Sequence, residues 1–267
     1  MIRVLVVDDS VLIRKVLCEI FAKASGIEVV GTAEDPFIAR DKIKQLNPDV
    51  ITLDIEMPKM DGITFLKNIM RLKPMPVVMI STLTQKGAPA TLQAMEYGAV
   101  DYVGKPSADQ PELLAQYAQE IIEKVKMASV ANIGRLEQQA NRAPMQVKPA
   151  PRMGKLSNKL IAIGASTGGT EAIRELLSMM PADSPPIVVT QHIPPVFSAS
   201  FAKRLNGIVP MEVHEACDGD KLMAGQVYIA PGDKHLEVIK KGGLLYCRVF
   251  EGERVNLHIP SVEVLFN

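Results

Sequence analysis

Residues 160–173 read LIAIGASTGGTEAI, and this stretch decides the fold of the C-terminal half of the chain. An apolar run leads into a glycine-rich segment, after which apolar residues recur at helical spacing. The order predicts a strand over 160–163, a tight turn, and a helix over 170–180. A strand that enters a helix through such a turn is typical of α/β folds, and it places the main-chain N–H groups of the helix start beside the turn.

Two interpretations of this turn compete. A dinucleotide-binding loop requires G-x-G-x-x-G, but Ser166 stands where the second glycine belongs. A nucleophile elbow requires G-x-S-x-G, and Gly164, Ser166 and Gly168 match that pattern. Small neighbours let a substrate carbonyl approach, and nearby N–H groups stabilise an oxyanion. The pattern therefore favours a serine nucleophile at position 166.

A serine nucleophile needs a base within hydrogen-bonding reach. The next predicted strand, residues 187–190, leads to His192, so the serine and this histidine are expected at the carboxyl ends of neighbouring strands. The chain order argues against the α/β-hydrolases, in which the acid falls between serine and histidine. The alternative bases lie in regions without a comparable placement at a strand end: His214, His235 and His258.

The N-terminal half, residues 1–127, alternates short apolar runs with helix-length amphipathic stretches. This alternation, with nearly continuous apolar strands, predicts a parallel sheet covered on both faces. A last helix is indicated by apolar residues at three- and four-residue spacing between 114 and 125. The apolar runs lie at residues 4–7, 29–30, 50–53, 77–80 and 102–103.

Polar residues that suit phosphoryl chemistry follow these strands. Asp8 and Asp9 come after the first strand and Asp54 after the third, where parallel sheets place function. Singly, each is explained as a helix cap or turn residue. Together, three carboxylates repel one another unless a hard cation lies among them, and Mg²⁺ is the usual choice. A carboxylate beside Mg²⁺ can accept a phosphoryl group, whose oxygens Ser81 and Lys105 would hold.

The segments VLVVDDS, ITLDIEMPKMDG, VVMIST and DYVGKP resemble the response-regulator receiver family. The resemblance implies a flavodoxin-like (βα)5 domain over 1–127, phosphorylated at Asp54. Phosphorylation adds about −1.5 to −2 charges, which biases a two-state loop. The resemblance also implies that Tyr102 is an aromatic switch residue, although from sequence alone it is equally well a half-buried aromatic residue of a strand. The implied site residues are the Mg²⁺ ligands Asp8, Asp9, Asp54 and the main-chain carbonyl of Glu56, and the phosphoryl-sensing residues Ser81, Lys105 and Tyr102.

The segments IGASTGG, QHIPPVFSASFAKRL, EACDGD, VYIAPGDKHL and PSVEVLF resemble the catalytic domain of the CheB family of chemotaxis methylesterases. The likeness implies a doubly wound, Rossmann-like α/β domain over 159–267 that needs no cofactor. Ser166 would be the nucleophile and His192 the general base. The other implied residues around the oxyanion and the substrate are Thr167, Gly168, Gly169, Gln191 and the loop 230–233.

This resemblance implies that the enzyme removes methyl esters from glutamate side chains of chemoreceptors and deamidates receptor glutamines. The histidine kinase CheA would phosphorylate Asp54. In the family, the unphosphorylated receiver covers the hydrolase cleft, and phosphorylation loosens that contact. A non-catalytic, phospho-switched receptor-binding module is the alternative.

Two features depart from the CheB pattern. Ile259 stands where a basic residue usually precedes PSV, so we expect a substrate-side contact to be missing. The family pattern also continues to a G-M-G-x-D-G segment whose Asp orients the histidine, and nothing in this chain matches it. These departures predict a truncated catalytic domain with little esterase activity. Three other residues could replace this acid by residue type, but no motif supports them: Asp218, Asp220 and Asp233.

The composition argues against several other classes of protein. With 30 Lys+Arg and 30 Asp+Glu the chain lacks the charge of a nucleic-acid binder, and no helix-turn-helix signal supports a DNA-binding response regulator. No apolar run approaches the roughly 20 residues that span a bilayer, so no membrane insertion is expected. Three scattered cysteines argue against disulfides and zinc and favour a cytoplasmic protein. Residues 128–158, rich in proline and cationic residues, are predicted to be an interdomain linker.

Overall fold

The computed structural model describes residues 1–82, 87–105, 111–132, 134, 159–256 and 258–267. The chain divides into two compact units, Met1–Ala143 and Pro144–Asn267. Apart from residues 128–132 and 134, the predicted linker lies outside the described residues. None of the helices described is long and apolar enough to cross a bilayer.

The described part of the N-terminal unit alternates five strands with five helices. The strands pair in parallel in the order β2-β1-β3-β4-β5, which is the flavodoxin-like order, so the predicted fold class is confirmed. The last helix ends slightly beyond the predicted domain boundary at residue 127. The elements are β1 (Ile2–Val7), α1 (Val11–Lys23), β2 (Ile27–Ala33), α2 (Pro36–Leu46), β3 (Val50–Asp54), α3 (Gly62–Leu72), β4 (Val77–Ser81), α4 (Ala88–Glu96), β5 (Asp101–Gly104) and α5 (Pro111–Ser129).

Apolar side chains cover both faces of this sheet. Val4 and Val6 of β1 lie in the core beneath α1 and α5, together with Phe21 and Ile121. Leu5, which points to the opposite face because side chains alternate along a strand, is equally buried. A strand buried on both faces must be apolar throughout, which explains the continuous runs in the sequence. The carboxyl ends of these strands meet at one edge, where the polar residues follow.

The described part of the C-terminal unit combines a parallel sheet with an antiparallel hairpin. The four-stranded sheet has the order β6-β7-β9-β8, as expected of a doubly wound α/β domain. Strands and helices predicted from the sequence differ from the observed bounds by about two residues at most. The elements are β6 (Ile161–Ala165), α6 (Gly169–Met179), β7 (Ile187–Gln191), α7 (Pro195–Asn206), β8 (Glu212–Glu215), β9 (Gln226–Ile229), β10 (His235–Lys241), β11 (Leu244–Phe250) and α8 (Val262–Phe266).

The hairpin of β10 and β11 leads the chain back to the parallel sheet. Its residues Leu236 and Cys247 are buried in one cluster with Val188 and Tyr228 of the sheet. Helix α8, which follows the hairpin, packs against β6. A Cβ added to Gly164 would lie 2.4 Å from a methyl group of α8, so the glycine is what permits this close approach. The segment before α8 is thereby brought to the serine loop.

Candidate functional site

Three carboxylates converge at the carboxyl edge of the N-terminal sheet. One oxygen from each of Asp8, Asp9 and Asp54 lies within 4.8 Å of the others. Asp8 and Asp54 are buried, whereas Asp9 is exposed. Lys105 Nζ lies 2.7 Å from Asp54 Oδ2 and 3.3 Å from Asp8 Oδ2. This single ammonium neutralises only part of the negative charge in the pocket.

Burial perturbs the ionisation of this pocket. It raises the pKa of Asp54 from 3.8 to about 6, the charge of Asp8 adds to the rise, and the hydrogen bond from Lys105 opposes it. Burial likewise raises the pKa of Asp8, against the charge of Lys105. Burial alone would lower the pKa of Lys105, but its hydrogen bond to Asp54 raises it above the ordinary value, so the side chain stays cationic.

The pocket fits a hard divalent cation. Within the described residues, Asp8 Oδ2 is buried and accepts no hydrogen bond of good geometry, and its charge partner is Lys105 Nζ at 3.3 Å. Such an oxygen, grouped with two further carboxylates, is the donor set that Mg²⁺ prefers. Glu56 is exposed, and its N–H donates to Asp54 Oδ1 at 3.3 Å.

The predicted phosphoryl-sensing residues lie on the neighbouring strands. The main-chain oxygen of Ser81 accepts the N–H of Lys105 at 2.7 Å, and Ser81 Oγ lies 2.8 Å from Thr91 Oγ1. Tyr102 is only 3% exposed, so its ring is buried rather than half-buried. Burial raises the pKa of this phenol well above its ordinary value. Lys124 Nζ donates to the carbonyl of Tyr102 at 2.7 Å and ties β5 to α5.

Ser166 and His192 meet at the carboxyl edge of the C-terminal sheet. They follow Ala165 and Gln191, which face each other across the parallel strands β6 and β7. Ser166 Oγ lies 3.1 Å from His192 Nδ1. A neutral imidazole that accepts through Nδ1 carries its proton on Nε2. The pair therefore has the geometry for transfer of the serine proton to the ring.

A buried amide joins the main chains of these two residues. Gln191 Nε2 donates to Ser166 O at 2.9 Å and to His192 O at 3.1 Å. A Cβ added to Gly169 would lie 1.9 Å from Gln191 Oε1, so the glycine leaves space for the amide. Gln191 is 4% exposed. It was expected to line the site, and the structure places it as a buried support for both loops.

The backbone of the serine loop differs from that of a nucleophile elbow, although its sequence matches the G-x-S-x-G pattern. An elbow strains the serine itself. Here Gly168 has the left-handed conformation, at φ 72°, and Ser166 has no positive φ. The N–H of Gly169 is engaged, since it donates to Ser166 O at 2.7 Å. Among the residues described, the N–H groups of Thr167 and Gly168 donate to no protein acceptor, which makes them the better candidates for an oxyanion site.

His258, which was not predicted to stand near the serine, lies within the site. Its ring stacks on that of His192, with centroids 3.7 Å apart and planes inclined by 13°. The available sequence signal was its position just before PSVEVLF, a segment typical of the CheB family. The other two histidines have structural contacts, since His214 meets the ring of Tyr228 edge-on and His235 is buried against Phe250.

Two of the carboxylates named as substitute acids bind main-chain N–H groups of the surrounding loops. Asp218 Oδ1 accepts the N–H of Val249 at 3.0 Å, and Asp220 Oδ2 accepts the N–H of Cys217 at 2.8 Å. Asp233 ends the loop 230–233, which packs on the residues after His192, since a Cβ added to its Gly232 would lie 2.4 Å from the carbonyl carbon of Pro194.

Glu263, which the sequence analysis did not consider, lies within electrostatic range of the base. Hydrogen bonds from Ser261 and Asn256 lower its pKa from 4.5 to about 2, and the charge of His192 contributes to the lowering. The carboxylate therefore stays ionised at neutral pH beside the serine–histidine pair.

Comparisons with known proteins cover both halves of the chain. The CheB methylesterase model matches residues 161–267, and the response regulator receiver domain model matches residues 4–119. A protein-glutamate methylesterase/protein-glutamine glutaminase of Xanthomonas oryzae pv. oryzae is 52% identical over 99% of this chain and 76% of its own length. The chain belongs to the CheB family. The predicted family is therefore confirmed.

The comparisons also matched a second relative and a solved structure. A protein-glutamate methylesterase/protein-glutamine glutaminase of Hahella chejuensis is 54% identical over 99% of the chain and 75% of its own length. Among solved structures, the response regulator domain of Thermotoga maritima CheB is 45% identical, covers 49% of this chain and 98% of its own, and superposes with a TM-score of 0.45.

Proposed function

We propose that this chain is a cytoplasmic, phosphorylation-regulated hydrolase that removes methyl esters from glutamate side chains of chemoreceptors and deamidates receptor glutamines. The observation that carries the proposal is the distance of 3.1 Å between Ser166 Oγ and His192 Nδ1. The names of its relatives, glutamate methylesterase and glutamine glutaminase, describe two acyl transfers at the same kind of side-chain carbonyl. One nucleophile serves both.

His192 takes the proton of Ser166 as the oxygen attacks the carbonyl carbon. The N–H groups of Thr167 and Gly168 stabilise the resulting oxyanion. The protonated ring then gives its proton to the leaving methanol or ammonia, and a glutamyl–serine ester remains. Water, deprotonated by the same ring, hydrolyses this ester and restores Ser166.

The N-terminal unit supplies the regulation. Above about pH 6 the carboxylate of Asp54 is ionised and can attack the phosphorus of a phosphohistidine on the kinase CheA. Lys105 and Ser81 hold the phosphoryl oxygens, and Tyr102 is the proposed aromatic switch. Mg²⁺, when bound, neutralises charge between the carboxylate and the phosphoryl group. Asp8, Asp9, Asp54 and the main-chain carbonyl of Glu56 would hold it.

The catalytic proposal is tested with the full chain and a fluorophosphonate reagent that reacts with activated serines. We expect labelling of Ser166 and only slow release of methanol from methylated chemoreceptor fragments, since no segment of this chain matches the one that carries the orienting acid in the family. Ser166→Ala abolishes both, and His192→Gln lowers both by about 10²–10⁴-fold because the general base is lost. Ser200→Ala, on α7, is the matched control and leaves them unchanged. Binding of receptor fragments without labelling or product would instead support the non-catalytic module.

The regulatory proposal is tested with acetyl phosphate and Mg²⁺. We expect methanol release by the wild-type chain to rise, and release by Asp54→Asn to stay at its basal level. Asp41→Asn, an exposed carboxylate on α2, is the control and responds as the wild type does. Equal stimulation of the Asp54→Asn variant would contradict regulation through this residue.

A further inference from the structure

His258 stacks face to face on the imidazole that contacts Ser166. The ring centroids are 3.7 Å apart, which is van der Waals contact, and the planes are inclined by only 13°. Among the described contacts of His192, Ser166 Oγ engages Nδ1 and His258 covers one face of the ring. Nucleophile–base pairs depend on a third group that orients the base. The stacked ring is placed to do so.

His258 belongs to a turn in which it pairs with Val255 through two main-chain hydrogen bonds. The N–H of Val255 donates to His258 O at 3.0 Å, and the N–H of His258 donates to Val255 O at 3.1 Å. Asn256 has φ 50°, a left-handed conformation that asparagine tolerates better than most residues. Its Nδ2 donates to Glu263 Oε1 at 2.6 Å and links the turn to α8.

A buried histidine holds both flanks of this turn. His235, at the start of β10, is 2% exposed. Its Nδ1 lies 3.2 Å from Ser261 N and accepts that N–H, so its Nε2 carries the proton and donates to Glu253 O at 2.8 Å. Glu253 precedes the turn and Ser261 follows it. One neutral ring therefore fixes both ends of the segment that presents His258.

We propose that His258 is a positioning residue whose ring sets the plane of the His192 imidazole and directs Nδ1 at the hydroxyl of Ser166. The inference rests on the proposed hydrolase function. The terminal torsion of a histidine side chain is broad and roughly two-fold, so the bond to Ser166 alone leaves the ring freedom to tilt. A flat neighbour in contact removes that freedom.

The test compares His258→Leu, which removes the flat ring, with His258→Phe, which keeps a ring but no nitrogen. The full chain is reacted with the fluorophosphonate reagent at increasing concentrations, which separates the saturating rate from the half-saturating concentration. We expect His258→Leu to lower the saturating rate by about 10- to 100-fold, because the base is misdirected. The half-saturating concentration stays unchanged, and His258→Phe recovers most of the rate.

A second measurement does not depend on activity. Because the two rings stack, we expect the ring current of His258 to shift the NMR signals of the His192 ring protons in the wild type. We expect His258→Phe to keep a comparable shift and His258→Leu to abolish it, while thermal unfolding shows both variants folded.

Two results overturn the inference. One is an equal saturating rate for the wild type and His258→Leu. The other is a chemical shift of the His192 ring protons that is the same in His258→Leu as in the wild type. Absence of labelling in the wild type would instead overturn the hydrolase proposal. The NMR comparison then decides by itself whether the two rings stack in solution.

Discussion

Replacing Asp54 by Asn is expected to stabilise the N-terminal unit when Mg²⁺ is absent. Asp54 is 1% exposed and shares its pocket with the buried Asp8. Burial raises its pKa to about 6, in spite of the hydrogen bond from Lys105. The ionised carboxylate is therefore less favourable in the folded chain than in the unfolded chain. A neutral amide of the same shape avoids that cost.

The sign and size of the change in the free energy of unfolding follow from proton binding by Asp54. Between about pH 4 and pH 6 the folded state retains a proton on Asp54 that the unfolded state has lost, so the cost of ionisation is absent at low pH and complete above about pH 6. A rise of about two pKa units corresponds to about 3 kcal/mol at pH 7.5 and about 1 kcal/mol at pH 4.5. Both figures are upper limits, because Asn also loses the charge-assisted bond to Lys105.

Hydrogen exchange in urea, read from peptides of β3 and β4, measures the free energy of unfolding of this unit within the full chain. In EDTA at pH 7.5 we expect Asp54→Asn to be more stable than the wild type by up to about 3 kcal/mol. The difference in the free energy of unfolding between the variant and the wild type narrows at pH 4.5. Added Mg²⁺ stabilises the wild type more than the variant. Asp41→Asn, exposed on α2, stays within about 0.5 kcal/mol. A variant no more stable than the wild type at pH 7.5, or a difference that does not narrow, would refute the reasoning.

Three further substitutions test close contacts. Gly62→Ala would place its Cβ 1.9 Å from the main-chain oxygen of Asp54, so we expect a loss of about 2 kcal/mol or more in urea unfolding, and an unchanged midpoint would contradict the contact. Gly164→Val is expected to displace α8 and speed hydrogen exchange of its amides, whereas unaltered protection would show that the helix does not need the glycine. Gln191→Glu replaces a double donor by an acceptor facing two carbonyls, so we expect labelling of the catalytic serine to slow by about 10- to 100-fold, and a wild-type rate would rule out this support.

The sequence was sufficient to predict that the acidic residues meet, and that Ser166 meets His192, because these residues stand at the carboxyl ends of largely apolar strands. A continuous apolar run that ends at Asp8 or Asp54 shows where a strand stops. Parallel neighbours bring such ends to one edge. The same reasoning joins Ser166 to His192, since β6 and β7 pair in register.

The contribution of His258 could not be predicted in this way. It comes from a turn after an antiparallel hairpin, and its place depends on α8 packing over Gly164 and on the bonds of His235. None of these contacts leaves a periodic signal in the sequence. The elbow pattern pointed to the serine but did not predict the backbone of the loop, because each glycine in it has a different role. Gly168 provides a left-handed backbone, whereas Gly164 provides room for a helix.

The hairpin of β10 and β11 separates His258 from the other two residues of the site along the chain. Ser166 and His192 follow adjacent strands joined by one helix, so they can come together early in folding. Contacts between distant parts of a sequence form more slowly. The ring of His258 reaches its place only once the hairpin has closed and the returning segment has docked, so full reactivity of the serine would mark the last stage in the maturation of this domain.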